Sequence, residues 1–158
     1  MDDDGSTSLP GGLRMRKSDA LFDALGGLDE LNAALGLLRP QLSAPADAAR
    51  VESLQRDLLA IGGEIAGGGP GLPADAVAAL EREIERRGAD LPPLRRFVLP
   101  GNNEPSARAH FARAACRRAE RDLVRAREAH PDRISLPALA YLNRLSNLLF
   151  AWARALDS

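Results

Sequence analysis

The sequence predicts an all-α fold, a bundle of five helices within one domain that spans residues 1–158. Apolar residues recur at helical spacing in several long segments, and proline and glycine breakers separate those segments. The composition is rich in alanine and leucine, with 45% apolar and only 4% aromatic residues, so strand-forming residues are scarce. A chain of 158 residues can bury one sizeable core and does not require a second domain.

Apolar stripes at helical spacing predict the first three helices. The first helix ends before Pro40, and its stripe consists of Leu21, Leu25, Leu28, Leu35 and Leu38. The second runs from about Pro45 to Ala66 and stops at the glycine-rich residues 67–71, with one face formed by Val51, Leu54, Leu58, Ile61 and Ile65. The third runs from about Pro73 to Gly88 and turns Val77, Leu80 and Ile84 inward. Its charged residues 81–87 are most simply a solvated face without function.

The second half of the chain is predicted to hold one long connection and two helices. Prolines within residues 91–101 remove hydrogen-bond donors and favour extended backbone, so this segment is expected to be an ordered connection. The fourth helix opens near Glu104, and the fifth begins near Leu136. The fifth helix carries a seam of Leu142, Leu145, Leu149, Trp152 and Leu156. Residues 1–12 are expected to form a polar loop.

The most informative pattern lies in the fourth helix, where arginines recur every four residues at Arg113, Arg117, Arg121 and Arg125. This spacing places them on one face as a cationic ridge. A buried seam is predicted beside the ridge, formed by Ala109, Ala112, Cys116, Ala119 and Leu123. Guanidinium groups suit phosphate and carboxylate ligands. The alternative is a solvated face whose charge is balanced by Glu120 and Glu128.

Charge and cysteine content exclude several classes of function. With 21 basic and 22 acidic residues the formal net charge is -1, so no general attraction to nucleic acid or to acidic membranes is expected. The lone Cys116 is expected to be a buried, unreactive thiol, which fits a reducing compartment. No secretory signal or membrane-spanning run is recognisable, so a cytoplasmic location is expected. Two histidines and one cysteine argue against a zinc site built by the protein.

The N-terminal segment offers hydroxyls, carboxylates and glycine N–H groups that could enclose phosphates and a divalent ion. These groups belong to Asp4, Gly5, Ser6, Thr7 and Ser8. Lys17, just beyond them, would be a suitable point charge for a triphosphate. On the residues alone, a mobile terminus explains the same composition.

Several segments match those of one family in order through nearly the whole chain. They are Asp3-Asp-Gly-Ser-Thr-Ser-Leu9, Lys17, Leu28-Asp-Glu-Leu-Asn-Ala-Ala-Leu-Gly36, Leu54-Gln-Arg-Asp-Leu58, Leu91-Pro-Pro-Leu94, Phe97-Val-Leu-Pro-Gly101, Cys116-Arg-Arg-Ala-Glu-Arg121 and Tyr141-Leu-Asn-Arg-Leu-Ser-Asn-Leu-Leu-Phe150. The chain resembles the PduO-type ATP:cob(I)alamin adenosyltransferases.

That resemblance implies a homotrimer of five-helix bundles, with ATP and the corrinoid meeting in clefts between subunits. Co(I) of reduced cobalamin would attack C5′ of ATP, giving adenosylcobalamin and triphosphate. Mg²⁺ would be bound mainly through the ATP phosphates, and no metal ligand in the chain is assigned. A corrinoid reductase or an enzyme that uses adenosylcobalamin would be a further partner. The alternative is a non-catalytic trimer that binds corrinoid or nucleotide as a carrier or sensor.

The resemblance also assigns roles to residues. The N-terminal loop and Lys17 would fold over the triphosphate, whose charge would be held by Arg117, Arg121 and Asn143, while Glu120 braces the ridge. Arg113 would pair with Asp29 of the neighbouring subunit and form one wall of the cleft. Phe97 would lie beneath the corrin ring and displace its lower ligand, which makes Co(II) easier to reduce. On residue type alone, core packing is the alternative for Phe97.

Three departures from the family pattern stand out. Met1 and Asp2 occupy the place of a Thr-Gly pair, the second glycine after Gly101 is Asn102, and Ala109 replaces a leucine. The first departure leaves part of the phosphate loop missing. Either the true start lies upstream, or the loop is expected to be disordered without nucleotide and ATP binding to be weak.

Overall fold

Five helices and one short hairpin make up the chain in the computed structural model, which describes residues 4–10 and 12–157. The five-helix bundle predicted from the sequence is confirmed. The strands are β1 (Ser6–Ser8) and β2 (Arg14–Arg16), and the helices are α1 (Ala20–Leu38), α2 (Pro45–Ala66), α3 (Ala76–Gly88), α4 (Glu104–Ala129) and α5 (Leu136–Leu156). A 3-10 turn, which contains Pro40, follows α1 directly over Arg39–Gln41. None of the described helices is both long enough and apolar enough to cross a membrane.

Side-chain caps set where three of the helices begin. Asp19 accepts a hydrogen bond from the Leu21 amide at 2.9 Å, and Asn103 accepts one from the Ser106 amide at 2.9 Å. Ser135 does the same for α5 at 3.3 Å. These bonds satisfy amides that have no partner within a helix. At the other end of α2, Gly67 has a φ of 84°, a left-handed conformation that glycine adopts without strain.

The core lies where α4 packs against α1 and α5. Every member of the predicted α4 seam is buried, and so is every member of the α2 stripe. The two helices α1 and α4 are in tight contact at Gly27 of α1, where a Cβ atom would come within 3.2 Å of the Ala119 Cα and 3.1 Å of an Asp122 carboxylate oxygen. Both distances are shorter than an ordinary van der Waals contact, so a side chain at this position would require α4 to move by a few tenths of an ångström.

The hairpin corrects the prediction of a purely α fold. Ser6–Ser8 pairs antiparallel with Arg14–Arg16, with Thr7 opposite Met15, so Ser6–Ser8 is a strand and not part of the plain polar loop that was expected. Each strand has only three residues, which is too short for an alternating pattern to stand out. Leu9 at the end of β1 joins the core. The parts of this prediction that concern residues 1–3 and Gly11 fall outside the described residues.

Helix α3 departs from the prediction in two respects. It begins at Ala76 rather than near Pro73, and its charged face is not wholly solvated. Glu83 is buried and accepts hydrogen bonds from Arg50 Nε at 2.6 Å and Arg87 Nε at 2.9 Å. The Arg87 guanidinium lies 4.0 Å from the centre of the Trp152 ring. These charges therefore join α3 to α2 and α5.

Substitution of two adjacent glycines tests the α1–α4 contact. A Cβ at Gly26 would meet no atom within 4 Å, whereas one at Gly27 would press on α4. We expect Gly26→Gln to stabilise the fold by about 0.5–1 kcal/mol, since glutamine favours helix. Gly27→Gln should destabilise it by about 1–3 kcal/mol through overpacking. Urea unfolding measures both, and equal effects would contradict a tight contact at Gly27.

Candidate active site

The exposed side of α4 forms a shallow groove of about 480 Å³ that we call the arginine groove. Five of its lining residues come from α4 and one comes from α5. The α4 residues are three of the four ridge arginines, Arg117, Arg121 and Arg125, together with Glu120 and Val124, and the α5 residue is Asn143. The predicted ridge is thus exposed at Arg117, Arg121 and Arg125. Arg125 is partly neutralised by an ion pair with Asp122, whereas Arg117 makes no ion pair with the described residues. Such a surface favours an anionic ligand.

A chain of hydrogen bonds fixes the orientation of Asn143 in this groove. Its Nδ2 donates to Glu120 Oε1 at 2.9 Å, and its Oδ1 accepts from Arg144 Nη1 at 2.8 Å. Arg144 Nε in turn donates to Glu81 Oε1 on α3 at 2.8 Å. Because a carboxylate only accepts and a guanidinium only donates, the amide has one possible orientation. One N–H of Asn143 remains for a ligand. Within the chain, Glu120 therefore orients the Asn143 amide by accepting one of its hydrogen bonds.

Arg113 has a different environment from the rest of the ridge. It is half-buried, and its guanidinium lies 5.4 Å from the centre of the Phe150 ring. Its Nε is buried without a hydrogen-bond partner among the described residues. Asp29, the residue predicted to pair with an arginine of a neighbouring subunit, is exposed on α1 and makes no ion pair with described residues of its own chain. The next residue, Glu30, pairs with Arg118.

The hairpin brings together the residues predicted to enclose phosphate. Asp4 accepts from the Ser6 hydroxyl at 2.6 Å and from the Ser6 amide at 3.0 Å, and these bonds lower the pKa of its carboxyl group. Its second oxygen accepts from Arg14 at 3.0 Å. Lys17 donates its backbone N–H to the Gly5 carbonyl at 2.8 Å and leaves its side chain exposed. No hydrogen bond joins residues 4–10 and 12–17 to the arginine groove.

Phe97 lies on the connection between α3 and α4, and its side chain is fully exposed. The core-packing alternative for this residue is therefore wrong. The connection borders an open cavity of about 850 Å³ whose other wall includes Arg154 and Asp157 at the end of α5. We call residues 92–102 the Phe97 segment. Its apolar side chains at Leu94 and Leu99 are also exposed.

Cys116 takes no part in this surface. The thiol is fully buried in the α4 seam, and its Sγ lies 3.2 Å from the Leu142 carbonyl oxygen. Burial raises its pKa well above the usual range, so the nucleophilic thiolate is not populated at neutral pH. The prediction of a buried, unreactive cysteine is confirmed.

Comparison with known proteins identifies the family. The family model described as Cobalamin adenosyltransferase matches residues 1–156. The chain belongs to the cobalamin adenosyltransferase family. It is 42% identical to the cobalamin adenosyltransferase of Cupriavidus metallidurans, over 98% of this chain and 84% of that protein. The family and the enzyme class predicted from the sequence, a corrinoid adenosyltransferase, are confirmed.

Other members of the family are similar in sequence or in structure. The corrinoid adenosyltransferase PduO of Citrobacter freundii is 39% identical over 98% of this chain, which spans about half the length of that relative, 48%. A solved structure of a phenylalanine-to-histidine variant of the PduO-type ATP:corrinoid adenosyltransferase from Lactobacillus reuteri, complexed with cobalamin and ATP, is 27% identical. It superposes with a TM-score of 0.88 over 98% of this chain and 87% of that one.

Sequence reasoning on this adenosyltransferase missed the residues that act through others. Arg144 and Glu81 orient Asn143 but are 63 residues apart, so no local pattern joins them. His130 was also missed: its Nε2 lies 2.9 Å from Asp19 Oδ1, which links the end of α4 to the cap of α1 next to Lys17. The sequence shows a histidine at the end of one helix and an aspartate at the start of another. It does not show that the two side chains lie close together, because they are 111 residues apart.

A negative charge placed at Asn143 tests the hydrogen-bond network of the arginine groove. Asn143→Asp puts a carboxylate against Glu120, and we expect a loss of about 1–2 kcal/mol in unfolding free energy. The loss should shrink as pH falls through the carboxyl range, because protonation of either group removes the repulsion. Asn147→Asp, one turn further along α5 and exposed, is the matched control. Equal stability of the two variants at neutral pH would contradict the network.

Proposed function

We propose that this chain transfers the 5′-deoxyadenosyl group of ATP to Co(I) of cob(I)alamin. The cobalt electron pair forms the Co–C bond, the C5′–O bond breaks, and the oxygen leaves on inorganic triphosphate with its bonding electrons. The observation that carries this proposal is the arginine groove, where exposed guanidinium groups and an oriented amide N–H share one surface. The solved relatives complexed with cobalamin and ATP support it.

Charge stabilisation is the task that this groove would perform. Triphosphate is a stable anion, so its departure needs no general acid, and the nucleophile belongs to the corrinoid. Arg117 and Arg121 would hold the leaving phosphates, and the free N–H of Asn143 would donate to an acceptor atom of the nucleotide. What remains for the protein is to hold C5′ in line with the cobalt.

The hairpin would close over the triphosphate. The Thr7 hydroxyl, the glycine N–H and the exposed Lys17 ammonium can donate hydrogen bonds to phosphate oxygens. The Ser6 hydroxyl donates to Asp4 in this structure and would exchange that bond for one to phosphate. Mg²⁺ would be held mainly by the phosphate oxygens, and it supplies further neutralisation of charge.

The partnerless charges on α1 and α4 support a homotrimer. Asp29 is exposed, and Arg113 has an unsatisfied Nε, yet the two do not pair within one chain. Pairing between neighbouring subunits would satisfy both and would form one wall of the corrinoid cleft. The exposed ring of Phe97 would then displace the lower ligand of the corrinoid, since a hydrophobic group offers cobalt no replacement ligand. A cytoplasmic location and a reductase partner complete the proposal.

One anaerobic experiment separates this enzyme from a non-catalytic corrinoid or nucleotide carrier. The protein is mixed with chemically reduced cob(I)alamin and Mg-ATP, and absorbance follows formation of the Co–C bond while released triphosphate is quantified. Stoichiometric adenosylcobalamin and triphosphate with multiple turnovers support the transferase. Tight corrinoid binding without either product would select the carrier.

Removal of Arg117 tests the role of the groove in catalysis. Arg117→Ala should cost about 2–4 kcal/mol of transition-state stabilisation, measured as a fall in kcat/KM for ATP. The matched control is Arg118→Ala, which removes a neighbouring arginine that pairs with Glu30 outside the groove. Similar losses in both variants would show that the groove arginine has no special role.

Charge exchange tests the pairing between subunits. Asp29→Arg or Arg113→Asp should each weaken the trimer in sedimentation and lower turnover, because like charges would then meet at the interface. The double exchange should recover both measurements in part. Glu30→Ala, beside Asp29, is the control for general effects on α1. A fully active, stable monomer would contradict the interface model.

A further inference from the structure

Both ends of the Phe97 segment are tied to the last turn of α5. At the start, the Arg154 guanidinium donates to the Pro92 carbonyl oxygen. Just past the other end, Asn103 Nδ2 donates to the Leu156 carbonyl oxygen at 2.6 Å. Between these anchors, residues 93–102 make no hydrogen bond with other described residues. The position of the segment therefore depends on where the last turn of α5 lies.

Unsatisfied polar atoms lie beneath that last turn. Both ring nitrogens of His110 are buried without hydrogen-bond partners, and so is one oxygen of Asp157. The distance from His110 Nε2 to the other Asp157 oxygen is 4.0 Å, which is too long for a hydrogen bond. The His110 ring also meets the Phe150 ring edge-on, at 6.2 Å between centres. A small movement of the α5 end would join the two groups.

We infer that His110 is a positioning residue which, when it takes up a proton and pairs with Asp157, holds the last turn of α5 and the Phe97 segment against α4. A protonated imidazole donates from both nitrogens and attracts the carboxylate, so the pair closes. A neutral imidazole lacks this attraction and leaves the turn free to move. The consequence for corrinoid chemistry rests on the proposed function, whereas the pairing itself does not.

The charges around His110 determine how readily its imidazole takes up the proton that this pairing requires. The charged groups that act on His110 are Arg113 on its own helix and Asp157 at the end of α5. Arg154 lies 5.9 Å from the centre of the Phe150 ring, which His110 also contacts. Burial lowers the pKa of His110, Arg113 lowers it further, and Asp157 opposes both. An anion that neutralises Arg113 would therefore favour the protonated imidazole. Charge at the subunit cleft would in this way be coupled to the position of the Phe97 segment.

Proton NMR of the two histidines tests the pairing on the ligand-free chain. His130→Gln assigns the remaining imidazole signal to His110. Asp157→Asn should lower the titration midpoint of His110 by at least about half a pH unit, and Arg113→Gln should raise it. A midpoint that is unaffected by Asp157→Asn would overturn the inference.

A nitroxide on Leu99→Cys reports the mobility of the segment, since Leu99 is exposed and the buried Cys116 does not compete for the label. At a pH below the titration midpoint that NMR gives for His110, His110→Gln and Asp157→Asn should each increase the mobile fraction of the label, whereas His130→Gln should not. At about pH 8 all four proteins should behave alike. Equal changes at both pH values would indicate a purely structural role and overturn the proton-dependent pairing. Circular dichroism checks that the helices are intact, and Asp157→Asn covers the case in which His110→Gln fails to fold.

Discussion

The close contact of α1 and α4 at Gly27 is the constraint on which the arrangement of the site depends. Small residues along the α4 seam let α1 and α5 approach on two sides of the same helix. Only the remaining side of α4 is left for solvent, and the arginines occupy it. The same contact fixes the position of α1 along the axis of α4. As a result, Glu30 forms an ion pair with Arg118, and Asp29 remains exposed. The core thus decides which charges find partners and which are left for ligands or for another subunit.

The α4–α5 interface divides the polar side chains of α4 into two groups. Towards its C-terminal half, Glu120 accepts from Asn143 in a hydrogen-bond network that opens onto the arginine groove and leaves one N–H of Asn143 for a ligand. Towards its N-terminal half, His110 is buried and Arg113 is half-buried, and both have buried nitrogens without a hydrogen-bond partner among the described residues. Buried unsatisfied groups are costly to the fold and are uncommon, so we expect these nitrogens to find partners when a ligand or another subunit is bound.

Much of the fold could be predicted from the sequence because helix periodicity is a local signal. The α2 stripe and the α4 seam were confirmed residue by residue, since burial follows directly from 3.6-residue spacing. The hairpin could not be predicted, because strands of three residues are too short to show an alternating apolar pattern. The pairing of Thr7 with Met15 becomes visible only in the structure. Glu83 did carry a signal, since it follows Leu80 by three residues on the inward face. Its partners on α2, however, become visible only when the helices are packed.

The candidate site was predictable to the extent that one helix builds it. The four-residue spacing of the arginines located the groove, but it also presented Arg113 as equivalent to Arg117, and packing separates them. Arg113 lies over Phe150, where a guanidinium is partly desolvated and interacts more strongly with a charge than an exposed one does. In a trimer of the proposed kind, that stronger interaction would fall at the junction between subunits. Binding of a substrate that spans two chains would then stabilise the assembly by mass action, and assembly would in turn raise the affinity for the substrate.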